Sequence, residues 1–124
     1  MAKTGLGIPG PGTCPTEEMI PRLLELTADD DPKVRRLALK HLCPCRLQRQ
    51  RDAVWERIFE MTADADAGVR RDVIHAMTDG SPRELGPVIL THLEPMLRDP
   101  DPTVRKYVRR TLAAIRRTGR INVN

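Results

Sequence analysis

The sequence predicts an all-α fold, an α-α superhelix in which three helical pairs, six helices in all, stack side by side as a solenoid. Three observations favour this fold class. One segment recurs twice at a spacing of 35 residues, apolar residues flank each copy at helical spacing, and aspartates stand where helices would begin. A fixed period between about 20 and 50 residues is typical of solenoids built from one repeated supersecondary unit.

The recurring segment has aspartates at its first and third positions and, further on, a valine followed by a basic residue, and its copies are residues 29–36, 64–71 and 99–106. Apolar residues at helical spacing precede each copy and predict the first helix of a unit. A second apolar series follows each copy and predicts the second helix. The first series are Met19, Ile20, Leu23, Leu24 and Leu26; Val54, Trp55, Ile58, Phe59 and Met61; and Ile89, Leu90, Leu93, Met96 and Leu97. The second series are Val34, Ala38 and Leu42; Val69, Val73 and Met77; and Val104, Val108, Leu112 and Ile115.

Aspartates of the repeated segment predict where the second helices begin. A carboxylate at the N-cap accepts hydrogen bonds from unpaired backbone amides, and proline suits the first helical position. Asp31-Pro32 and Asp101-Pro102 fit both roles, whereas Asp66 keeps the cap without the proline. The third unit adds Asp79-Gly80, which predicts the end of the preceding helix, and Ser81-Pro82-Arg83-Glu84, which matches a capping box for the next one.

On these residues the chain resembles HEAT-repeat proteins, helical-pair solenoids akin to armadillo repeats. The family pattern has a proline in the first helix, an aspartate in the turn, and a valine followed by arginine or lysine in the second helix. The matching residues are Pro21, Asp29, Val34 and Arg35; Asp64, Val69 and Arg70; and Asp99, Val104 and Arg105, with Glu56 and Thr91 in place of the later prolines. The resemblance covers about residues 15–118, and it implies that the second helices line a concave surface.

The predicted organisation is a single repeat domain between two short ends. The parts are a disordered leader at 1–14, a domain at 15–118 with units at about 15–46, 47–80 and 81–118, and a tail at 119–124. The leader is rich in glycine and proline and has no apolar stretch of a signal sequence. No apolar run approaches the roughly 20 residues of a membrane span. Three cysteines without an export signal indicate reduced thiols, so we expect a cytoplasmic protein with no membrane contact.

Charge is unevenly distributed along the chain, whose formal net charge is +4. Residues 33–51 and 103–124 each carry seven basic residues and no acid, whereas residues 52–102 carry eleven acids and five bases. Such segregation favours an anionic partner. Part of it has a structural interpretation, because the arginines of the repeated Val-Arg pair belong to an expected ladder of ion pairs at the turns. That ladder joins Arg35, Arg70 and Arg105 to Asp29, Asp64 and Asp99.

The residues that follow these arginines are the candidate binding residues. In each second helix they form a basic pair four residues apart, which places both side chains on one helix face away from the predicted core. Stacking the helices would align the pairs as a cationic stripe across three units. The candidate partner-binding residues are Arg36, Lys40, Arg71, His75, Lys106 and Arg110. An ordinary solvated face is the competing interpretation.

A cysteine-rich turn raises the question of a metal. His41, Cys43 and Cys45, with Cys14 before the first helix, could supply ligands to zinc, but their spacing lacks the two residues between cysteines of the strong zinc signature. Partly buried thiols are therefore the favoured interpretation, and no metal or other cofactor is expected. The three histidines stand singly in sequence, and no nucleophile motif or phosphate-binding loop appears. We therefore expect no enzymatic activity.

The sequence thus predicts a non-catalytic protein-interaction or scaffold module whose basic concave face binds an acidic segment of a partner protein. One alternative is a nucleic-acid binder that uses the same stripe, together with Arg46, Arg49 and Arg51, on the phosphate backbone. Another, by analogy with the repeat family alone, is an enzyme-associated subunit of the phycobilin-lyase type. Leu23, Leu24 and Leu26 on the outer helix leave open either a packed leader or a homodimer contact, so the expected state is a monomer or a weak homodimer.

Overall fold

In a computed structural model that describes residues 15–44 and 51–124, these residues form six α-helices and no β-strand. The first helices of the units are α1 (Ile20–Leu26), α3 (Asp52–Glu60) and α5 (Gly86–Leu93), and the second helices are α2 (Pro32–Leu42), α4 (Ala67–Met77) and α6 (Pro102–Thr118). Short 3-10 turns at Glu17–Met19 and Arg83–Leu85 precede α1 and α5, and turns at Met61–Ala63 and Glu94–Arg98 extend α3 and α5. The all-α helical-pair prediction is confirmed. The predicted leader, Cys14 and residues 45–50 lie outside the described residues.

The helices pack as repeated pairs. Within the units, α1 lies against α2, α3 against α4, and α6 against the Glu94–Arg98 turn that continues α5. Between units, α2 contacts α4 and α4 contacts α6. The second helices therefore lie side by side, as the resemblance implies. Within the described residues, no helix combines the length and the apolar character needed to cross a membrane.

The core is one continuous layer of side chains from both helices of every unit. Trp55 is buried in it, as predicted from its alignment with other core positions. Leu23 and Leu26 are buried as well, so these two side chains are not available for contact with a second copy. The fully buried members include Leu23, Leu39, Leu42, Ile58, Met61, Ile74, Met77, Ile89 and Leu93.

The sequence pattern missed one large buried apolar position that recurs in α2 and α4. Leu39 and Ile74 are equivalent residues of α2 and α4, and they are 1% and 0% exposed. Leu39 lies beside His75 and Ala76 of α4, so it contributes to the packing of one unit on the next. The equivalent residue of α6 is Arg109, which is exposed. The third unit therefore has an exposed charged residue at the position where the first two units are apolar.

The predicted N-caps of the second helices are confirmed. The Asp31 carboxylate accepts from the amide of Lys33 at 2.9 Å, and Asp66 accepts from Val69 at 3.0 Å. Asp101 accepts a 3.0 Å hydrogen bond from the amide of Val104. Each bond satisfies one of the amides that have no partner inside the helix.

The predicted capping box of the third unit is wrong. The Ser81 hydroxyl donates to the Met77 carbonyl at 2.6 Å, so it closes the previous helix. The Ser81 amide donates to the Asn122 side chain at 2.7 Å, and Asn122 donates back to the Ser81 carbonyl at 2.8 Å. Helix α5 starts five residues later, at Gly86, without a side-chain cap. Gly80 does end the preceding helix as predicted, with a φ of 78°.

The C-terminal residues fold back onto the end of α4. The amides of Val123 and Asn124 donate to the carbonyl of Thr78 at 3.1 and 3.2 Å, and Ile121 is buried. The Tyr107 hydroxyl donates to the Asn124 side chain at 3.2 Å. These bonds satisfy a carbonyl that α4 leaves without an intrahelical partner.

A ladder of arginine–aspartate pairs joins the turns of successive units. The Arg35 guanidinium donates twice to the Asp64 carboxylate, both bonds at 2.9 Å. Arg70 binds Asp99 in the same way, at 2.7 and 2.9 Å. The expected ladder is present with a refinement, because each arginine pairs with the aspartate of the following unit. The two side chains of the second pair are only 12% and 6% exposed.

Each of these arginines also donates a hydrogen bond to the backbone of the turn in its own unit. One guanidinium nitrogen donates to the carbonyl of Asp29 at 2.8 Å from Arg35, and to the carbonyl of Asp64 at 2.7 Å from Arg70. Arg105 repeats this bond at 2.6 Å to the carbonyl of Asp99. In the first two units the repeated arginine therefore links its own turn to the next one. The bond to its own turn is the feature that all three units share.

The ladder sets the response of stability to acid. Burial raises the pKa of Asp64, but hydrogen bonds from Arg35 and from the amide of Asp66 outweigh it, so the pKa lies below its ordinary value of 3.8. The pKa of Asp99 is also lowered, chiefly by the hydrogen bond from Arg70. A carboxyl group with a lowered folded-state pKa stabilises the fold above its unfolded pKa and loses that contribution as the pH falls through the folded value.

We therefore expect the free energy of unfolding to fall steeply below about pH 4. Urea unfolding followed by circular dichroism at several pH values between about 7 and 2 measures it. Asp99→Asn cannot titrate and should flatten this fall, whereas Asp30→Asn, at an exposed position, should follow the wild type. Equal pH profiles for Asp99→Asn and the wild type would contradict this role for the ladder.

Candidate binding surface on the second helices

Helices α2 and α4 border an open cavity of about 660 Å³. Three cationic side chains of α2, Lys33, Arg36 and Lys40, lie around it, and His75 faces them from α4. The floor is largely apolar. Its lining is completed by Leu37, Leu39, Cys43, Asp72 and Ala76. The cavity thus joins apolar surface to a cationic border, a combination that suits ligands with both carboxylate and apolar groups.

Three of the six candidate binding residues meet at this cavity, namely Arg36, Lys40 and His75. Lys33 lies with them and was not among the candidates. Its position three residues before Arg36 and seven before Lys40 places it on the same helix face, and this spacing was the signal that could have identified it.

Arg36 is not a free cation, because it is paired across the unit boundary. Its Nε donates to the Asp72 carboxylate at 2.7 Å, and this hydrogen bond raises the pKa of Arg36. The two side chains are 40% and 33% exposed. An ion pair with that much solvent access contributes little to stability, so a competing carboxylate can replace Asp72 at low cost. A Cβ added at Gly68 would lie 3.1 Å from the Arg36 guanidinium, so the glycine leaves room for this side chain.

At the junction of α4 and α6, a tyrosine occupies the position equivalent to Asp72. Tyr107 of α6 stands 35 residues after Asp72, so Arg71 lacks the carboxylate that Arg36 has. Burial raises the pKa of Tyr107, the charge of Asp72 adds to the increase, and the nearby charge of Arg71 lowers it. The remaining candidates of this junction, Lys106 and Arg110, are exposed on α6. Among the described residues, none of these three cations forms a hydrogen bond or an ion pair within the chain.

His75 belongs to a cluster that the sequence did not indicate. Its Nε2 lies 2.9 Å from an Asp79 carboxylate oxygen. The Cys43 sulfur, one nitrogen of His75 and one oxygen of Asp79 all lie within 4.8 Å of one another. His75 stands alone in the sequence, but in the fold it lies close to Cys43 of the preceding unit.

The cysteine-rich turn has a different arrangement from the one considered in the sequence. His41 is buried, and its Nδ1 lies 3.2 Å from the Leu37 carbonyl of its own helix. Cys43 is buried and reduced at the end of α2, where it meets α4 residues rather than His41 in the cluster. Cys14 and Cys45, the other two members of the group, lie outside the described residues.

Comparison with known families and proteins gives one match. A family model described as HEAT repeats matches residues 20–113, which is most of the chain. Comparisons with curated proteins and with solved structures gave no significant match.

Proposed function

The chain belongs to the HEAT-repeat family, and on that premise we propose that it is a protein-binding module that takes an acidic segment of a partner along its second helices. HEAT repeats generally mediate protein–protein interaction or act as scaffolds, and they are generally non-catalytic. The matched region includes α2, α4 and most of α6, on which the cationic residues lie. The proposal therefore concerns a surface rather than a catalytic pocket.

The single observation that carries the proposal is the cavity between α2 and α4. Lys33 and Lys40 place ammonium groups at its border, and neither forms an ion pair with another described residue. Leu37 contributes an apolar side chain that is 40% exposed. A peptide that alternates carboxylate and apolar side chains would pair with the border and cover the floor.

The same chemistry continues onto the third unit. Arg71 lies next to Tyr107, and the exposed Lys106 and Arg110 follow on α6. Because α4 packs against both α2 and α6, the two junctions are neighbours on one surface. One extended acidic segment can therefore occupy the cavity with one part and contact the cations of the third unit with another.

Two carboxylates on this surface favour a peptide over a nucleic acid. Asp72 and Asp79 lie among the cations, where they would repel the closely spaced charges of a phosphate backbone. A peptide carries its carboxylates singly and can place them away from both aspartates. The expected affinity for a random DNA duplex is accordingly weak and strongly reduced by salt.

The proposal is tested by selecting ligands from a random twelve-residue peptide display library with the full chain. We expect enrichment of aspartate and glutamate interspersed with apolar residues. In fluorescence anisotropy with the selected peptides, Lys40→Glu and Arg71→Glu should each weaken binding about tenfold or more, because each replaces an attraction by a repulsion. Arg83→Glu makes the same change of charge at an exposed site in the 3-10 turn before α5 and should leave the affinity unchanged.

Two results would contradict the proposal. One is a set of selected peptides without acidic enrichment. The other is equal affinity of the wild type and the Lys40→Glu and Arg71→Glu variants for the selected peptides. Tighter binding of the same chain to random duplex than to any selected peptide, lost in these variants, would favour the nucleic-acid alternative instead.

A further inference from the structure

A second kind of site lies at one end of the cavity, where Cys43, His75 and Asp79 meet. One donor atom from each residue lies within 4.8 Å of the other two. In a tetrahedral zinc site with bonds of about 2.0–2.3 Å, donor atoms are separated by about 3.3–3.8 Å. The Cys43 sulfur would therefore have to approach the other two donors by up to about 1 Å. The His75 and Asp79 atoms, 2.9 Å apart, would have to separate slightly, and side-chain rotation can supply both movements.

The fold brings these residues together from two units. Cys43 is the C-cap of α2, His75 lies in the last turn of α4, and Asp79 follows the end of that helix. The carbonyl oxygen of Asp79 also lies 4.0 Å from the Cys43 sulfur. The C-terminal ends of two helices thus meet at one point. Their carbonyl groups carry partial negative charge, which favours a bound cation.

The donor set is selective for a class of metal. A thiolate, an imidazole and a carboxylate together suit Zn²⁺ and its first-row neighbours, whereas Mg²⁺ and Ca²⁺ prefer oxygen ligands. Three protein ligands leave one position of a tetrahedron for water or an anion. The 2.9 Å contact between His75 and Asp79 also holds the imidazole close to the carboxylate before any metal binds.

The local charges are compatible with a dication. A thiolate and a carboxylate supply two negative charges to the ion. The neighbouring Arg36 is already paired with Asp72 at 2.7 Å, so its charge is largely compensated. Lys40, one turn before Cys43, is exposed to solvent, which screens its repulsion.

We propose that Cys43, His75 and Asp79 form a Zn²⁺-binding site that joins the first and second repeat units. Metal at this place would link α2 to α4 by coordinate bonds, in addition to the packing of Leu39 and the Arg36–Asp72 pair. The inference is independent of the proposed function, because it requires no partner protein. Its ligands also differ from Lys40 and Arg71, the residues on which the peptide experiment depends.

The experiment titrates the reduced full-length chain with ZnCl₂ in a calorimeter and with CoCl₂ in a spectrophotometer. We expect one Zn²⁺ per chain. With Co²⁺ we expect a thiolate-to-metal charge-transfer band in the near ultraviolet and visible bands typical of tetrahedral coordination. Zinc should also raise the midpoint of thermal unfolding, because a ligand that binds only the folded state stabilises it.

Variants identify the ligands. His75→Gln, at a side chain that is 47% exposed, should fold normally and lower the Zn²⁺ affinity at least about tenfold. Cys43→Ser should abolish the charge-transfer band, and Asp79→Asn should weaken the affinity with the band retained. His92→Gln is the matched control, because it removes a histidine elsewhere and should change neither quantity.

The remaining cysteines supply the decisive comparison. A Cys14→Ser/Cys45→Ser double variant should keep the band and the affinity. Loss of the band in this double variant, or an unchanged affinity in His75→Gln, would overturn the proposed ligand set. Absence of any binding by the wild-type chain at micromolar Zn²⁺ would overturn the site itself.

Discussion

Replacing Leu39 by alanine is expected to lower the free energy of unfolding by about 2–5 kcal/mol. Leu39 is 1% exposed and lies at the contact between the first two units, so truncation leaves a cavity where two helices pack. Urea unfolding followed by far-ultraviolet circular dichroism measures the change. The slope of the unfolding free energy against urea concentration should stay the same if the surface area exposed on unfolding is unchanged.

Arg109→Ala is the matched control for this prediction. It changes the equivalent residue of the third unit, which is exposed at the end of the stack, and should alter stability by less than about 0.5 kcal/mol. Equal effects of the two substitutions would contradict the buried position of Leu39 between the first two units and the exposed position of Arg109 on α6. The comparison therefore tests the repeat architecture at a single position.

Replacing Arg70 by alanine is expected to cost about 2–4 kcal/mol of stability. The Asp99 carboxylate would stay in place with its side chain only 6% exposed and without its partner. The carbonyls of Asp64 and Ala65 would lose the hydrogen bonds that Arg70 donates at 2.7 and 3.1 Å. Removing one member of a buried ion pair is costly because the remaining charge stays buried.

Arg105→Ala is the corresponding control for the ladder. Arg105 occupies the same repeat position, but among the described residues it donates only to the carbonyl of Asp99. We expect a loss of about 1 kcal/mol or less. A larger loss for Arg105→Ala than for Arg70→Ala would show that the links between units are not what makes the repeated arginine important.

The ladder and the Arg36–Asp72 pair also explain part of the charge segregation along the chain. Arg35 and Arg36 of the basic first unit bind Asp64 and Asp72 of the acidic second unit. Charges that are separated in sequence are therefore adjacent in space. The cations that remain for a ligand are those without such a carboxylate, chiefly Lys33, Lys40 and Arg71 in the first two units.

The fold was predictable from the sequence because its signals are local and repeated. Asp31, Asp66 and Asp101 cap helices through bonds to amides two or three residues away, and such bonds are readable from the order of residues alone. The 35-residue period then makes neighbouring units equivalent. The capping-box prediction for Ser81 was wrong because its hydroxyl bonds back to Met77, and its backbone amide is taken by Asn122, 41 residues further on.

The binding surface was predictable only in part. Helical spacing placed Arg36 and Lys40 on one face, and the period aligned them with His75. The period could not show that Asp72 would pair with Arg36, because the two residues are 36 apart and occupy different repeat positions. Cys43 meets His75 and Asp79 because the end of α2 lies beside the end of α4. The order of residues in the sequence does not show how two helix ends are placed, so this cluster could not be predicted.

The most direct test of the proposed binding surface is to map a selected acidic peptide on the nitrogen-15-labelled chain by amide chemical-shift perturbation. The account predicts that the largest shifts fall on α2 and α4 around Arg36, Lys40 and Arg71, with a continuation onto α6. Shifts confined to the first helices α1, α3 and α5 would contradict it.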